Sequence, residues 1–468
     1  MTRYLSNSAR QPAPGANHSG AQRRGAGTPW SGATGKHAAR GLRWAPLFVL
    51  AMCSLLAAGC SDDDDKTVGP SGPARLEGLV FDEQAQPVSG ASVTASRIAA
   101  DGDLTVVSRE PATTNVEGEY ALELEVADVT HLVARAVKGG QEWKAVVSAP
   151  VRSGSTVRAQ PLTAETTLEA ATFQRVRAQA SDTLITYPRI SEIVNDVLAE
   201  AVEPVHANTV VLALALSEQV QAENLYLTDP SVGGNYADIR SIRDRRAAAQ
   251  VGLETALDLA GDNNEAAEAA HASYHASVLK AFTDNGITAA EYGQAIAVGT
   301  AAFTRMAAAL NADAELGAIK ASALHRATAL QLSISNAFSA LEATDDKLEA
   351  LSASGRTLAA SVRSATSAQA VAAAWQDYHD EVLAHLRDVK ADLSDPIGSV
   401  DATVRGIGGI RAVLVQALDQ ATSPDATVQA HVTYYHSVAA AVRAALTTSS
   451  DEEIETIAAV LALANLPL

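Results

Sequence analysis

Glu268, His271 and His275 stand at i, i+3 and i+7 in the stretch "NEAAEAAHASYH", so a helix would carry all three on one face. A carboxylate and an imidazole one turn apart form a metal-ligating pair. Glu-x-x-His is the spacing with which helical bundles hold two metal ions when a second copy and two further glutamates converge. That second copy is missing: Gln376 precedes His379 and Thr433 precedes His436 at the corresponding positions. Glu268, His271 and His275 are therefore named as candidate ligands, with no metal expected. The pairs Tyr274–His275, Tyr378–His379 and Tyr435–His436 read instead as amphipathic residues at seams between helices, with polar tips hydrogen-bonded or wet.

Other chemistry is thin. The two cysteines are Cys53 and Cys60, both within the first 60 residues, which leaves nothing later for a disulfide, a thiolate-bound metal or a thiol nucleophile. "DNGITAAEY" (284–292) has the look of half a calcium loop. Glu291, however, lies five residues after Gly286 rather than six, and Ala281 stands where a first ligand belongs, so a turn and a capped helix are expected. "GIGGI" (406–410) lacks the Lys and Ser/Thr of a phosphate loop, so a kink or close helix packing is expected there. No nucleophile elbow or zincin motif is present. No catalytic residue and no cofactor is expected.

Two kinds of element would have to position these groups. From 74 to 163, "ARLEGLVF", "ASVTASRI", "LTVVSRE", "YALELEV", "HLVARAV" and "WKAVVSAPV" alternate apolar and polar residues between turn clusters, which predicts a small seven-stranded β-sandwich. From 165 to 468 the apolar period becomes 3.6 and alanine dominates, which predicts a large all-α array or bundle of about ten helices. Capping boxes are read at "TAAE" (288–291) and "SSDE" (449–452), and "SPDA" puts Pro424 after a Ser423 cap. The expected fold class is thus multidomain, β then α. Within the α part, 256–275 aligns without gaps with 417–436, and 360–379 fits the same frame loosely. Each reads as a helix end, a Ser/Asp-rich turn, and a second helix that reaches a Tyr-His pair.

The N-terminus gives an address. The run from 45 to 59 is apolar, too short for the roughly 20 residues of a membrane span, preceded by Arg40 and Arg43, and closed by small residues. The run ends in "LLAAGC", which resembles the bacterial lipobox and implies a signal peptide within residues 1–59 and lipid attachment at Cys60. A 59-residue leader exceeds the usual 15 to 30, so a misplaced start is favoured over a disordered extension. Residues 60–73 read as an acidic disordered tether. Ser61 is not the aspartate that retains lipoproteins in the inner membrane of enterobacteria, so the outer membrane is expected. Ser61 followed by acidic residues also resembles a surface-export signal of one bacterial phylum, which leaves the periplasmic face and the cell surface both open.

In the β part, Gly78, Val80, Pro87, Val88, Gly90, Ala91, Val93, Thr114, Gly118, Tyr120 and Leu122 follow a pattern that resembles the carboxypeptidase regulatory-like domain, a transthyretin-like sandwich. That resemblance implies an accessory module without catalytic residues, used as a spacer, as a stabiliser or for glycan contact. Trp143 is the candidate aromatic platform, and Tyr120 is expected in the core.

Residues 1–59 hold seven of the 35 basic residues and none of the 54 acidic ones. The rest therefore carries 28 against 54, a net charge of −26 with histidine neutral. Such a charge argues against nucleic acid as a partner. The expected function is a lipid-anchored cell-envelope protein with a non-catalytic binding or scaffolding role, attached to the membrane through its lipid and meeting a protein or glycan partner. The alternatives are a periplasmic metal-dependent enzyme using the helical part, and carbohydrate binding through the sandwich.

Overall fold

The computed structural model describes residues 72–467 except 100, 126–128, 180–184, 205, 229–238, 262, 392–396 and 448. The expected signal peptide within residues 1–59, the expected lipid site Cys60 and most of the expected tether (60–73) thus lie outside the described residues. Eight strands are described, one more than the expected seven: β1 (Ala74–Leu79), β2 (Ser92–Ile98), β3 (Leu104–Val106), β4 (Ala112–Thr113), β5 (Glu119–Leu124), β6 (Leu132–Lys138), β7 (Gln141–Val147) and β8 (Thr156–Arg158). β3, β4 and β8 are only two or three residues long, too short to carry an alternating run of their own.

Alternation places the core. Every second residue of β5 is buried, and β5 pairs antiparallel with β1, Ala74 opposite Leu124 and Leu79 opposite Glu119. β8 joins the other edge of β1 in parallel, giving the order β5-β1-β8. The second sheet runs β3-β2-β6-β7, with β4 also on β2. Leu76, Tyr120 and Leu122 of the first sheet share one hydrophobic core with Val93, Leu132, Ala134 and Ala145 of the second. Gly78 is needed for close approach, since a Cβ there would sit 2.7 Å from the Tyr120 hydroxyl. Gly118 is needed twice over: its φ is +76°, and a Cβ would meet the Val80 carbonyl at 2.7 Å.

Thirteen helices are described after the strands. The first four are α1 (Ala164–Gln179), α2 (Tyr187–Ser191), α3 (Asp196–Ala201) and α4 (His206–Thr228). Then come α5 (Ile239–Ala260), α6 (Asn264–Thr283), α7 (Ala289–Ala307), α8 (Ala312–Ala340) and α9 (Asp345–Ser364). Last are α10 (Ala368–Ala391), α11 (Ile397–Gln420), α12 (Pro424–Ala445) and α13 (Asp451–Ala464). α8 is the central rod, packed against α3, α7, α9, α10 and α13. Its Leu330, Ile334 and Phe338 meet Leu358, Tyr378, Val382 and Leu461 in the main helical core.

The strands and helices belong to one compact unit. Ile98, Val133 and Val146 lie in the same core cluster as Leu168, Phe173 and Tyr187. Hydrogen bonds fasten that seam: Lys144 N–H donates to Thr167 Oγ1 at 2.9 Å, and Thr166 Oγ1 donates to the Lys144 carbonyl at 2.6 Å. Farther along, Ser148 N–H donates to Glu254 Oε2 at 3.2 Å, and Arg158 pairs with Asp258 at 2.6 Å.

Local chemistry sets the helix ends. Thr288 and Glu291 form the expected capping box, and Ser423 caps α12 with Pro424 at its first position. The α13 cap is displaced by one residue from the expected Ser449: Ser450 accepts from Glu453 N–H. The glycines of "GIGGI" correct another expectation. α11 runs through them, and a Cβ on Gly406, Gly408 or Gly409 would meet nothing within 4 Å, so no neighbour packs against them. The aligned segments 256–275, 360–379 and 417–436 fall on the hairpins α5–α6, α9–α10 and α11–α12. In the third copy both tyrosines turn inward: the buried Tyr434 hydroxyl donates to the Ala462 carbonyl at 3.0 Å, and half-buried Tyr435 is hydrogen-bonded to buried Gln294.

Candidate functional site

Two polar regions lie back to back around α2. The first is a cleft of about 1040 Å³ where the β part meets α1, α3, α5 and α6. The turn after β1 supplies Asp82 and Glu83, β7 supplies Glu142, α1 supplies Glu165 and Glu169, and Asp196, Glu200 and Glu203 come from α3 and the chain after it. No lysine or arginine is among the residues that line it. Among the described residues only Glu142 (with Arg135 and Lys144) and Asp196 (with Arg363) have ion-pair partners in this set of eight.

The spacing of Glu165 and Glu169 puts both on one face of α1. Burial lifts the Glu169 carboxyl to about 7, opposed by hydrogen bonds from Tyr187 and Gln160. Gln160 Nε2 donates to Glu169 Oε2 at 3.0 Å, and the Tyr187 hydroxyl donates to the same oxygen. Glu165 faces the cleft and is half-exposed, yet protein crowds it. Burial first, then Glu169 and Asp196, push its carboxyl well above the usual range. Behind the wall, burial raises Glu254 to about 8 against the bonds from Ser148 and Gln250.

The second region is an ion network among α2, α4, α5 and α6. Arg189 pairs with Glu192 and Glu223, and Arg246 Nε lies 2.8 Å from Glu192 Oε1. The Tyr274 hydroxyl donates to the same Glu192 oxygen at 2.8 Å, and Gln219 Nε2 donates to Glu223 Oε1 at 2.8 Å. Burial alone would raise Glu192, but Arg246 and Arg189 outweigh it and hold the carboxyl at about 2. His325 lies buried beside the network. Burial lowers it to about 3, so it is neutral at neutral pH.

The expected residues are divided between these regions. Glu268 is exposed, His271 is exposed on the cleft wall, and half-buried His275 feels the charge of Glu192 from the network side. Among the described residues, no three His, Cys, Asp or Glu side chains converge to hold a metal ion. Trp143 lines the cleft but is only 6% exposed, its ring in the core of the β part.

Sequence reasoning missed Glu165, Glu169, Arg189, Glu192, Glu223 and Arg246. The usable signal is a charge placed on an apolar stripe. Glu223 follows buried Leu216 and Val220 and precedes Leu227, and Arg246 falls four residues after buried Ile242. A charged residue in such a position must be paired or neutralised. Among the described residues no helix is long and apolar enough to cross a membrane. No family model matches the chain, and no curated protein or solved structure compared with it matches either.

Proposed function

We propose that the chain is a lipid-anchored protein of the bacterial cell envelope, tethered at the outer membrane through Cys60, that binds an organic polycation in the junction cleft and does not transform it. The observation that carries this reading is the cleft wall: eight acidic side chains, no lysine or arginine among the residues that line it, and two carboxyls on α1 that are raised, buried Glu169 by burial and half-exposed Glu165 by crowding and by Glu169 and Asp196. A cation in the cleft would relieve that cost. The carboxylates are spread along the wall rather than converging, which favours an extended cation such as a polyamine over a single metal ion. The β part acts as one wall of the site, as an accessory module would. Its two sheets around a common core, and the packing at Gly78, Gly118 and Tyr120, support a transthyretin-like sandwich of the carboxypeptidase regulatory-like kind.

Titration calorimetry of the mature chain with spermidine tests the binding. Saturable binding that weakens with salt and drops in Glu165→Gln and Glu200→Gln is expected. Absence of binding at low salt would remove the reading. The anchor is tested separately. Cys60→Ser should release the protein from membranes, because acyl chains supply the affinity and the acidic chain supplies none. A Cys60→Ser protein that still sediments with membranes contradicts the anchor.

A further inference from the structure

The acidic cleft is larger than a small polyamine requires. It offers about 1040 Å³. Spermidine, with about ten non-hydrogen atoms, fills at most about 300 Å³ even at the volume a water takes in the liquid. Nor is the lining wholly polar. Phe81, Trp143, Pro161, Leu253 and Leu257 line the same space as the carboxylates. Acidic side chains beside apolar ones suit a ligand in which cationic and apolar groups both recur.

A strand edge also ends in the cleft. β7 is the last strand of its sheet. Lys138 and Gln141 pair across the two-residue turn Gly139–Gly140, so the hydrogen bonds to β6 fall on Gln141, Trp143 and Ala145. Glu142 and Lys144 therefore turn their backbone N–H and C=O groups away from β6. Those of Lys144 are taken up by Thr167 and Thr166, and Lys144 forms an isolated bridge with Thr163. The pairing goes no further, because the chain enters α1 at Ala164. The outward backbone groups of Glu142 have no partner among the described residues, and Glu142 is exposed on the cleft wall.

We propose that the cation bound in the cleft is a basic peptide segment. It lies extended along the free edge of β7 at Glu142, its lysine or arginine side chains on the carboxylates and the residues between them on the apolar lining. This rests on the cation-binding reading above and narrows it to one class of ligand. Side chains of an extended chain alternate in direction, so a single strand meets both kinds of wall. Main-chain pairing adds affinity, and the alternate side chains add selectivity. The charge complement comes from carboxylates outside ion pairs: Asp82 and Glu83 after β1, Glu200 in α3 and Glu203 after it.

The test uses residues 61–468 and four ligands that each carry about three positive charges at pH 7. They are spermidine, acetyl-Lys-Leu-Lys-Leu-Lys-amide, the same peptide with glycine for leucine, and the leucine peptide N-methylated at every internal residue. By calorimetry the leucine peptide should bind about tenfold or more tighter than spermidine, a factor that one leucine on the apolar lining supplies. The glycine and N-methylated peptides should lose that advantage. Glu83 and Glu203 are exposed and outside ion pairs, and in Glu83→Gln/Glu203→Gln the leucine peptide should bind several-fold more weakly. Spermidine that binds while the leucine peptide binds no tighter overturns the peptide proposal and leaves cation binding standing. An N-methylated peptide that binds as well as its parent, or leucine-peptide binding unchanged in Glu83→Gln/Glu203→Gln, overturns it too. Absence of binding by all four ligands removes the cation reading and this proposal together.

Discussion

Glu169 and Glu192 are nearly equally buried, at 2% and 7% exposure, yet one carboxyl titrates at about 7 and the other at about 2. Burial pushes both upward. What separates them is the neighbour: an amide and a phenol beside Glu169, two guanidiniums beside Glu192. Burial therefore does not decide the charge state of a carboxyl in this fold; a cation partner does. The network is compensated from within and rigid in its demands. Six of the eight cleft carboxyls have no ion-pair partner among the described residues, which is the condition under which a cation from outside gains most.

The largest expected effect comes from opening the compensated side. Arg189→Met strands Glu192 and Glu223 with reduced compensation and should cost about 3–5 kcal/mol in urea unfolding. A loss under about 1 kcal/mol would show that the network does not hold the helices together. Gly299→Ala comes next. Its Cβ would stand 2.5 Å from Glu223 Oε1 and 2.9 Å from Gln219 Cγ, so the paired carboxylate must shift. A loss of about 1–3 kcal/mol is expected, against the gain of about 0.5–1 kcal/mol that Gly-to-Ala brings in an unobstructed helix.

The cleft should answer with the opposite sign. The folded chain keeps Glu169 and Glu254 protonated up to about 7 and 8, while the unfolded chain releases those protons near 4.5. Stability from these two groups is thus fully present below about pH 4.5 and lost as pH rises through 7 and 8. Glu169→Gln should be neutral within about 0.5 kcal/mol at pH 5 and stabilising by about 1–3 kcal/mol at pH 8. The histidines slope the other way. His325 and His431 titrate at about 3 and His275 at about 4, each lowered chiefly by burial, against an ordinary 6.5. Their contribution is present above pH 6.5 and lost as pH falls toward those values. Equal unfolding free energies for Glu169→Gln and wild type at both pH values would erase the contrast.

The smallest effects belong to the Tyr-His pairs. His379 is buried, and His379→Gln should cost about 0.5–3 kcal/mol; exposed His436→Gln should stay within about 0.5 kcal/mol. A large loss at His436 would reinstate the three pairs as equivalent.

Local pattern made much of this fold legible. Five of the eight strands are six or seven residues long, with alternation clearest in β1 and β5, and Thr288 and Ser423 cap where their side chains must. The failures share a cause. β4 and β8 are too short to show a period, and Ser449 and Ser450 offer the same cap one residue apart. The sites were less legible, because neither is local. The cleft draws on the turn after β1, on β7, and on α1, α3 and α6, whose neighbourhood no spacing encodes. Glu268 and His271 share a face as expected, but α6 places His271 in the cleft and leaves His275 near the network.

The central claim is that the cleft carboxyls hold their protons for want of a cation, and proton release on ligand binding tests it most directly. Spermidine binding to residues 61–468 is to be measured by calorimetry at pH 7 in two buffers of different ionisation enthalpy. A cation beside Glu165 and Glu169 lowers their pKa values, so binding should release protons, and the release should diminish in Glu169→Gln. Binding without proton exchange, or release unchanged in Glu169→Gln, would contradict the account.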